Sequence, residues 1–359
     1  MRILLLTLAL LLTSCSSLKM GLINSSVQKP SNVALFFSVE TANQMPVAGL
    51  PAESFRIYED DQLISPFESK QTILNQEMSV IHYTILLLDL SGSITESGNL
   101  PALVQAATLF AERVSKNQKI AVMGFDGGSK LIPVVQPTNN MATITSGLQS
   151  LTQYKVQDPS TNLNGAMIEA IRNLQNAMNK ATQPLRFGSL VVFTDGTDRA
   201  HRVSDEEMHK VVHESDINVF TIGLGAEIST KQLAKMSTLG YMQANNMTQI
   251  ALAFANVADL IEATSRKFYL LSYCSPSRAG KHSLRVEVMD NGVNGQISQE
   301  FDATGFGPNC SPDQKPNFKS ASVRMGAAKL PDVNSDGSLS GVENSNHSTG
   351  NDSTTSITK

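Results

Sequence analysis

Asp89, Ser91 and Ser93 stand two residues apart in "LLLDLSGSI", where a leucine run breaks into one carboxylate and two hydroxyls. These groups are hard oxygen donors, which suit Mg²⁺ in a compact octahedral shell that keeps some of its waters. Alternating positions in a loop leaving a strand can turn several oxygens toward one point. Gly92 lets the backbone turn tightly between the serines. The pentapeptide alone is weak, because Asp and Ser are common turn residues. Its meaning depends on what other oxygens the surrounding elements bring to the same place.

Those elements alternate. "IHYTILLLDL" is a continuous apolar strand of the kind buried on both faces. "NLPALVQAATLFAERVS" reads as an amphipathic helix, with Leu103, Ala106, Ala107 and Phe110 at helical spacing and Pro101 in its first turn. "KIAVMGFDG" is a strand ending near Asp126, and "KLIPVVQP" an edge strand because Pro133 suits no central position. Two helical stretches follow, then "RFGSLVVFTDGTD", a β-branched strand ending at Asp195. "SDEEMHKVVHES" and "STKQLAKMST" are helices capped by Ser204 and Ser229, separated by the strand "DINVFTIGLG". A long helix through "ALAFANVADLIEATSRKF" closes the series. This rhythm predicts a doubly wound, mostly parallel α/β sheet. Ligands of such sheets bind outside the carboxyl ends of the strands, where Asp89, Asp126 and Asp195 all fall.

"DLSGS" resembles the metal-ion-dependent adhesion site of von Willebrand factor type A domains, whose motif is Asp-x-Ser-x-Ser. "STNLNGAM" is similar to the loop that carries the site's threonine, and "VVFTDG" to the strand that carries its second aspartate. The resemblance spans residues 81 to about 265. It implies a metal site of Asp89, Ser91, Ser93, Thr161 and Asp195, holding Mg²⁺ or Mn²⁺. Ser91, Ser93 and Thr161 would touch the metal, the aspartates would act through water, and an acidic group of a ligand would complete the shell. Read without the resemblance, Thr161 is a helix cap and Asp195 an Asp-Gly turn. Asp126 reads as a turn residue in "FDGG" or as an acid shaping the rim. Asp198 is a carboxylate that backs the metal ligands or faces the ligand, or else a solvated loop residue.

The flanks are β-rich. "VALFFSVE" and "FRIYEDDQ" precede the α/β segment, and "FYLLSYCSP" and "GKHSLRVEV" follow it. The expectation is one small β-sandwich-like module, shared by both flanks, with the α/β domain inserted in it. The alternative is that each flank extends the central domain. The flank pattern resembles bacterial exported von Willebrand-related proteins. The expected boundaries are a signal peptide over 1–14, a tether over 15–31, β-rich segments over 32–78 and 268–310, and the type A domain over 79–267. A largely disordered tail over 311–359 completes the list.

The leader "MRILLLTLALLLTSC" has one basic residue and a short apolar run, as in a signal peptide. "LTSC" resembles a bacterial lipobox, which implies cleavage before Cys15 and acylation of its thiol. Ser16 after it implies outer-membrane sorting if the cell is Gram-negative, with a periplasmic or surface-facing chain. An exported context permits a disulfide between Cys274 and Cys310, the alternative being free thiols. In the tail, "DVNSDGSLSGVE" places Asp332, Asn334, Asp336, Ser338 and Glu343 at calcium-loop spacing, a second candidate site for Ca²⁺. Pro331 and a polar continuation leave that loop without flanking helices.

Composition excludes some functions. The chain of 359 residues is 41% hydrophobic, enough for a full core and a smaller one. A net charge of -4 gives no argument for nucleic acid as a partner. With no Trp, a carbohydrate platform of stacked tryptophans is ruled out. The expected function is non-enzymatic. It is a membrane-anchored, cation-dependent adhesion protein that engages a carboxylate of a protein or other macromolecule. The rival expectation is an assembly component of the cell envelope whose metal mainly stabilises the domain. No histidine lies in the metal motifs, which argues against hydrolysis.

Overall fold

A computed structural model of the chain describes residues 17–326 and, beyond them, the backbone of 332–333 and 339–340. The strands that open the chain are β1 (Lys19–Gln28), β2 (Asn32–Glu40), β3 (Phe55–Glu59), β4 (Gln62–Leu63) and β5 (Thr72–Ile73). The central segment contains β6 (Val80–Asp89), β7 (Lys119–Phe125), β8 (Ile132–Thr138), β9 (Leu185–Thr194), β10 (Ile217–Leu224) and β11 (Gly240–Ala244). Then come β12 (Phe268–Cys274), β13 (Lys281–Asp290), β14 (Val293–Asp302) and β15 (Ala321–Ser322). Two short helices, α1 (Pro66–Ser69) and α2 (Gly92–Thr95), precede α3 (Leu100–Val114), α4 (Met141–Ser150) and α5 (Leu163–Asn179). The last three are α6 (Asp205–Glu214), α7 (Thr230–Met236) and α8 (Met247–Arg266).

The leucine run is central because both of its edges are paired. β6 lies between β9 and β7, parallel to each, in a sheet ordered β11-β10-β9-β6-β7-β8. Only β8, with its two prolines, runs antiparallel along this path, at the edge. Side chains alternate across the sheet. Ile85 and Leu87 join a core with Met167, Ile171 and Leu174 of α5. Leu86 and Leu88 are equally buried and, by that alternation, point to the opposite face. Phe110 of α3, Phe193 of β9 and Phe254 of α8 pack there, with ring centroids 6.0 Å apart. Both faces are therefore covered, and polar side chains are delivered at the strand ends.

The two flanks meet in a sandwich of two four-stranded sheets, β1-β2-β12-β5 and β14-β13-β3-β4. Phe37, Val39 and Leu271 face Phe55, Ile57, Val286 and Val288 in its core. β2 pairs with β12 and β13 with β3, so each sheet combines residues from before and after the α/β segment. This is the mixed α/β architecture with a small sandwich that the patterning predicts. Cys274 and Cys310 are joined in a disulfide.

The structure departs from the sequence reading in two places. Residues 19–28, expected as tether, form β1, an antiparallel edge strand on β2. One backbone ladder holds it while most of its side chains stay at least partly exposed, so its sequence carries little hydrophobic pattern. Residues 311–326, expected as the start of a disordered tail, form a strap. Phe318, Val323 and Met325 are buried, and β15 runs parallel to β9 at Leu185 and Arg186. β10 begins opposite Gly188, so the strap occupies the row that β10 leaves open. A few well-placed apolar residues suffice there, and a low average hydrophobicity conceals them. Cys15 lies outside the described residues, as do Asn334, Asp336, Ser338 and Glu343. For the second candidate loop only the backbone pairing of Asp332–Val333 with Leu339–Ser340 is described.

Candidate functional site

Asp89 ends β6 fully buried, and the chain itself fixes both its oxygens. Oδ1 accepts the Ser91 backbone N–H at 3.0 Å, and Oδ2 accepts the Thr194 hydroxyl at 2.7 Å. Burial pushes its carboxyl up to about 6, with the nearby Asp195 charge adding to the rise and the Ser91 and Thr194 hydrogen bonds opposing it. Ser91 Oγ lies 3.1 Å from Ser93 Oγ, which donates to Asp195 Oδ1 at 2.9 Å. Asp195 also has its carboxyl raised, first by burial; Glu227 adds to this, while the Ser93 hydrogen bond and Arg199 oppose it. The cluster runs from buried Asp89 and Ser91 to exposed Ser93, so it opens to solvent on one side.

Three loops make this cluster. The Gly92 N–H donates to the Pro159 carbonyl at 3.0 Å, which ties the "DLSGS" turn to the loop before Thr161. A Cβ at Gly92 would approach Pro159 Cβ to 3.0 Å, so any larger residue would press Pro159 back by a few tenths of an ångström. The buried Thr161 accepts the backbone N–H groups of Arg199 and Ala200 through its carbonyl, at 2.9 and 3.0 Å. It is thus fastened to the loop after β9. The hydrogen-bonded chain Ser91–Ser93–Asp195 does not include the Thr161 hydroxyl.

The other carboxylates have structural tasks. Asp126 Oδ1 accepts Gly128 N at 2.8 Å, and Oδ2 accepts the Tyr154 hydroxyl at 3.0 Å. The Gly128 contact is a turn role, while Oδ2, which also accepts Asp158 N at 3.3 Å, ties that turn to the loop before Thr161. Asp198 caps α5, accepting Asn164 N at 3.0 Å, and also accepts His201 N at 2.9 Å. Three contributors went unread in the sequence. Thr194 clamps Asp89, and its position directly before Asp195 was a usable signal. The Pro159 carbonyl carried no local signal. Nor did Glu227, which pairs with Arg199 through contacts of 3.0 and 2.7 Å.

The donor set fits a hard divalent cation. It combines two carboxylates with hydroxyl oxygens, and offers no thiolate or imidazole. An octahedron with bonds of about 2.1 Å has edges of about 3.0 Å, close to the 3.1 Å between the Ser91 and Ser93 hydroxyl oxygens. Among the described residues, no group of three or more His, Cys, Asp and Glu converges for metal binding; this cluster depends on hydroxyls instead. Its serines hydrogen-bond to each other, and Ser93 donates to Asp195, with no histidine base.

Residues 84–241 match the family model described as von Willebrand factor type A domain. The chain carries a type A fold domain. A von Willebrand factor type A structure from Catenulispora acidiphila is 11% identical with a TM-score of 0.44, covering 81% of this chain and 75% of that one. The vWF domain of the type V pili tip protein Mfa5 from Porphyromonas gingivalis is 11% identical at a TM-score of 0.40, covering 51% and 96%. Proximal thread matrix protein 1 from the mussel byssus is 18% identical at a TM-score of 0.43. The match covers 51% of this chain and about half, 48%, of the byssus protein. No curated protein matches the chain.

Proposed function

We propose that this type A domain binds a macromolecular partner through a divalent cation, Mg²⁺ or Mn²⁺, held at the Asp89 cluster. The observation that carries the reading is the continuous oxygen path Ser91–Ser93–Asp195 above a buried, doubly held Asp89. Ser91, Ser93 and Thr161 would hold the ion directly, and Asp89 and Asp195 through water. When bound, the ion supplies a positive centre facing solvent, and hydroxyl ligands leave its charge available to an incoming carboxylate. Ser93, the exposed member, lies on the side from which a protein Asp or Glu would approach. Asp89 and Thr194 form a rigid base that keeps the oxygens converged.

The reading extends to location. The leader and Cys15 support an exported chain anchored by lipid, and among the described residues no helix is long and apolar enough to cross a membrane. Changing Cys15→Ser should then move the protein from the membrane fraction to the soluble fraction.

The function is tested by capture from an envelope extract of the producing organism and its neighbours. A protein retained in Mg²⁺, released by EDTA and not retained by Asp89→Ala is expected. Capture that survives both chelation and the substitution would show that the metal is not the bridge.

A further inference from the structure

A cavity of about 680 Å³ lies at the junction of the sandwich and the type A domain, away from the metal motifs. Small-molecule sites are of this size and favour domain junctions. Both chain crossings between the lobes line it: residues from Leu74 to Val80 on the way out, and Ser265 and Arg266 on the way back.

Its lining is cationic and rich in amides. Lys116, Lys119 and Arg266 contribute to it, and Glu77 is its one acidic residue. Arg266 is paired with Glu262, whereas Lys116 and Lys119 have no ion pair among the described residues. Asn75, Asn117, Gln118, Asn139 and Gln183 add amide side chains. Gln118 is buried and held in place, its Oε1 accepting the Thr84 hydroxyl at 2.5 Å. His82 also lines the cavity. Its ring stacks on Phe187 at 4.5 Å, and its enclosed Nδ1 has no hydrogen-bond partner.

Lysines without acidic partners favour an anion. Amides both donate and accept, as sugar hydroxyls do. We propose that this cavity binds a small anionic saccharide, a sugar bearing a phosphate or a carboxylate. Because both crossings line the cavity, the bound sugar holds the two lobes together.

Calorimetry of the whole chain at low ionic strength tests this with glucose 6-phosphate, glucuronate, glucose and inorganic phosphate. At least one of the two acidic sugars should bind with a Kd of about 1 mM or tighter, and which one binds tells phosphate from carboxylate recognition. Glucose and inorganic phosphate should bind about tenfold more weakly or worse. The double variant Lys116→Ala/Lys119→Ala, and separately Asn117→Asp, should each weaken the sugar about tenfold. These residues are exposed, so the melting temperature should hold. Bound sugar should also slow amide exchange in residues 74–80 and 265–267. The proposal is overturned if neither acidic sugar binds at about 10 mM, if both variants bind it like wild type, or if inorganic phosphate binds as tightly.

Discussion

Asp89 shows how one residue can be costly and useful together. Its burial penalises the charge, and two donated hydrogen bonds offset part of that penalty. Thr194→Val removes one of them while keeping the shape. We expect a loss of about 1–3 kcal/mol in urea unfolding, together with weaker divalent binding because Asp89 is freed to rotate. Unchanged stability would mean that Thr194 is a bystander. A second residue-scale effect lies far from this site. Burial lowers the His82 imidazole to about 4. Folded protein keeps it neutral down to that pH, whereas the unfolded chain protonates near 6.5, the ordinary value. Between the two, the unfolded state binds the extra proton, so stability falls as pH falls through this window. The full difference corresponds to about 3 kcal/mol, an upper bound because part of the residue meets solvent. His82→Phe keeps the stack on Phe187 and should flatten this part of the stability–pH curve. An unchanged slope in the variant would assign the acid sensitivity elsewhere.

At the scale of elements, the site is a meeting of loops. The Asp-x-Ser-x-Ser turn was legible because its residues are adjacent, and the strand end beneath it was legible from the leucine run. Thr161 and Asp195 are legible only through the resemblance of "STNLNGAM" and "VVFTDG" to type A segments, with the α/β rhythm placing both at one sheet edge. The contacts that hold those loops, Gly92 to Pro159 and Arg199 to Glu227, join residues whose spacing carries no local pattern. Gly92→Ala tests the first contact. Its new Cβ must displace Pro159, so the loops should separate and divalent affinity should fall about tenfold or more, with the domain still folded by circular dichroism. Wild-type affinity in this variant would show that the loops yield without consequence. Asp198, expected to support the site, to face the ligand or to lie solvated, caps α5, a role set by Asn164 in a distant segment.

For the whole molecule, the two flanks join in one sandwich, and the strap pairs with the start of β9 in the type A domain. The shared sandwich was legible from alternating strands on either side of the α/β segment. The strap was not, because Phe318, Val323 and Met325 are scattered through polar text. Phe318 packs near Phe36 at a centroid distance of 6.5 Å, on the face of β2 opposite the sandwich core. The buried Lys267 ammonium bonds to Glu40 and to the Met325 carbonyl. The disulfide spans 36 residues and joins β12 to the start of the strap. Reduction should therefore lower global stability by about 2–4 kcal/mol, seen as a shifted urea midpoint. It should also raise amide exchange in residues 317–326. A midpoint indifferent to reductant would mean that the strap and sandwich stay closed without the bond.

The central claim is that the Asp89 cluster is a divalent-cation site. Isothermal titration of the purified chain with Mg²⁺ and with Mn²⁺, beside Asp89→Ala, tests it most directly. We predict one saturable site in the wild type and its loss in the variant, whose far-ultraviolet circular dichroism stays native. No saturable binding in the wild type, or equal binding in the variant, would contradict the account.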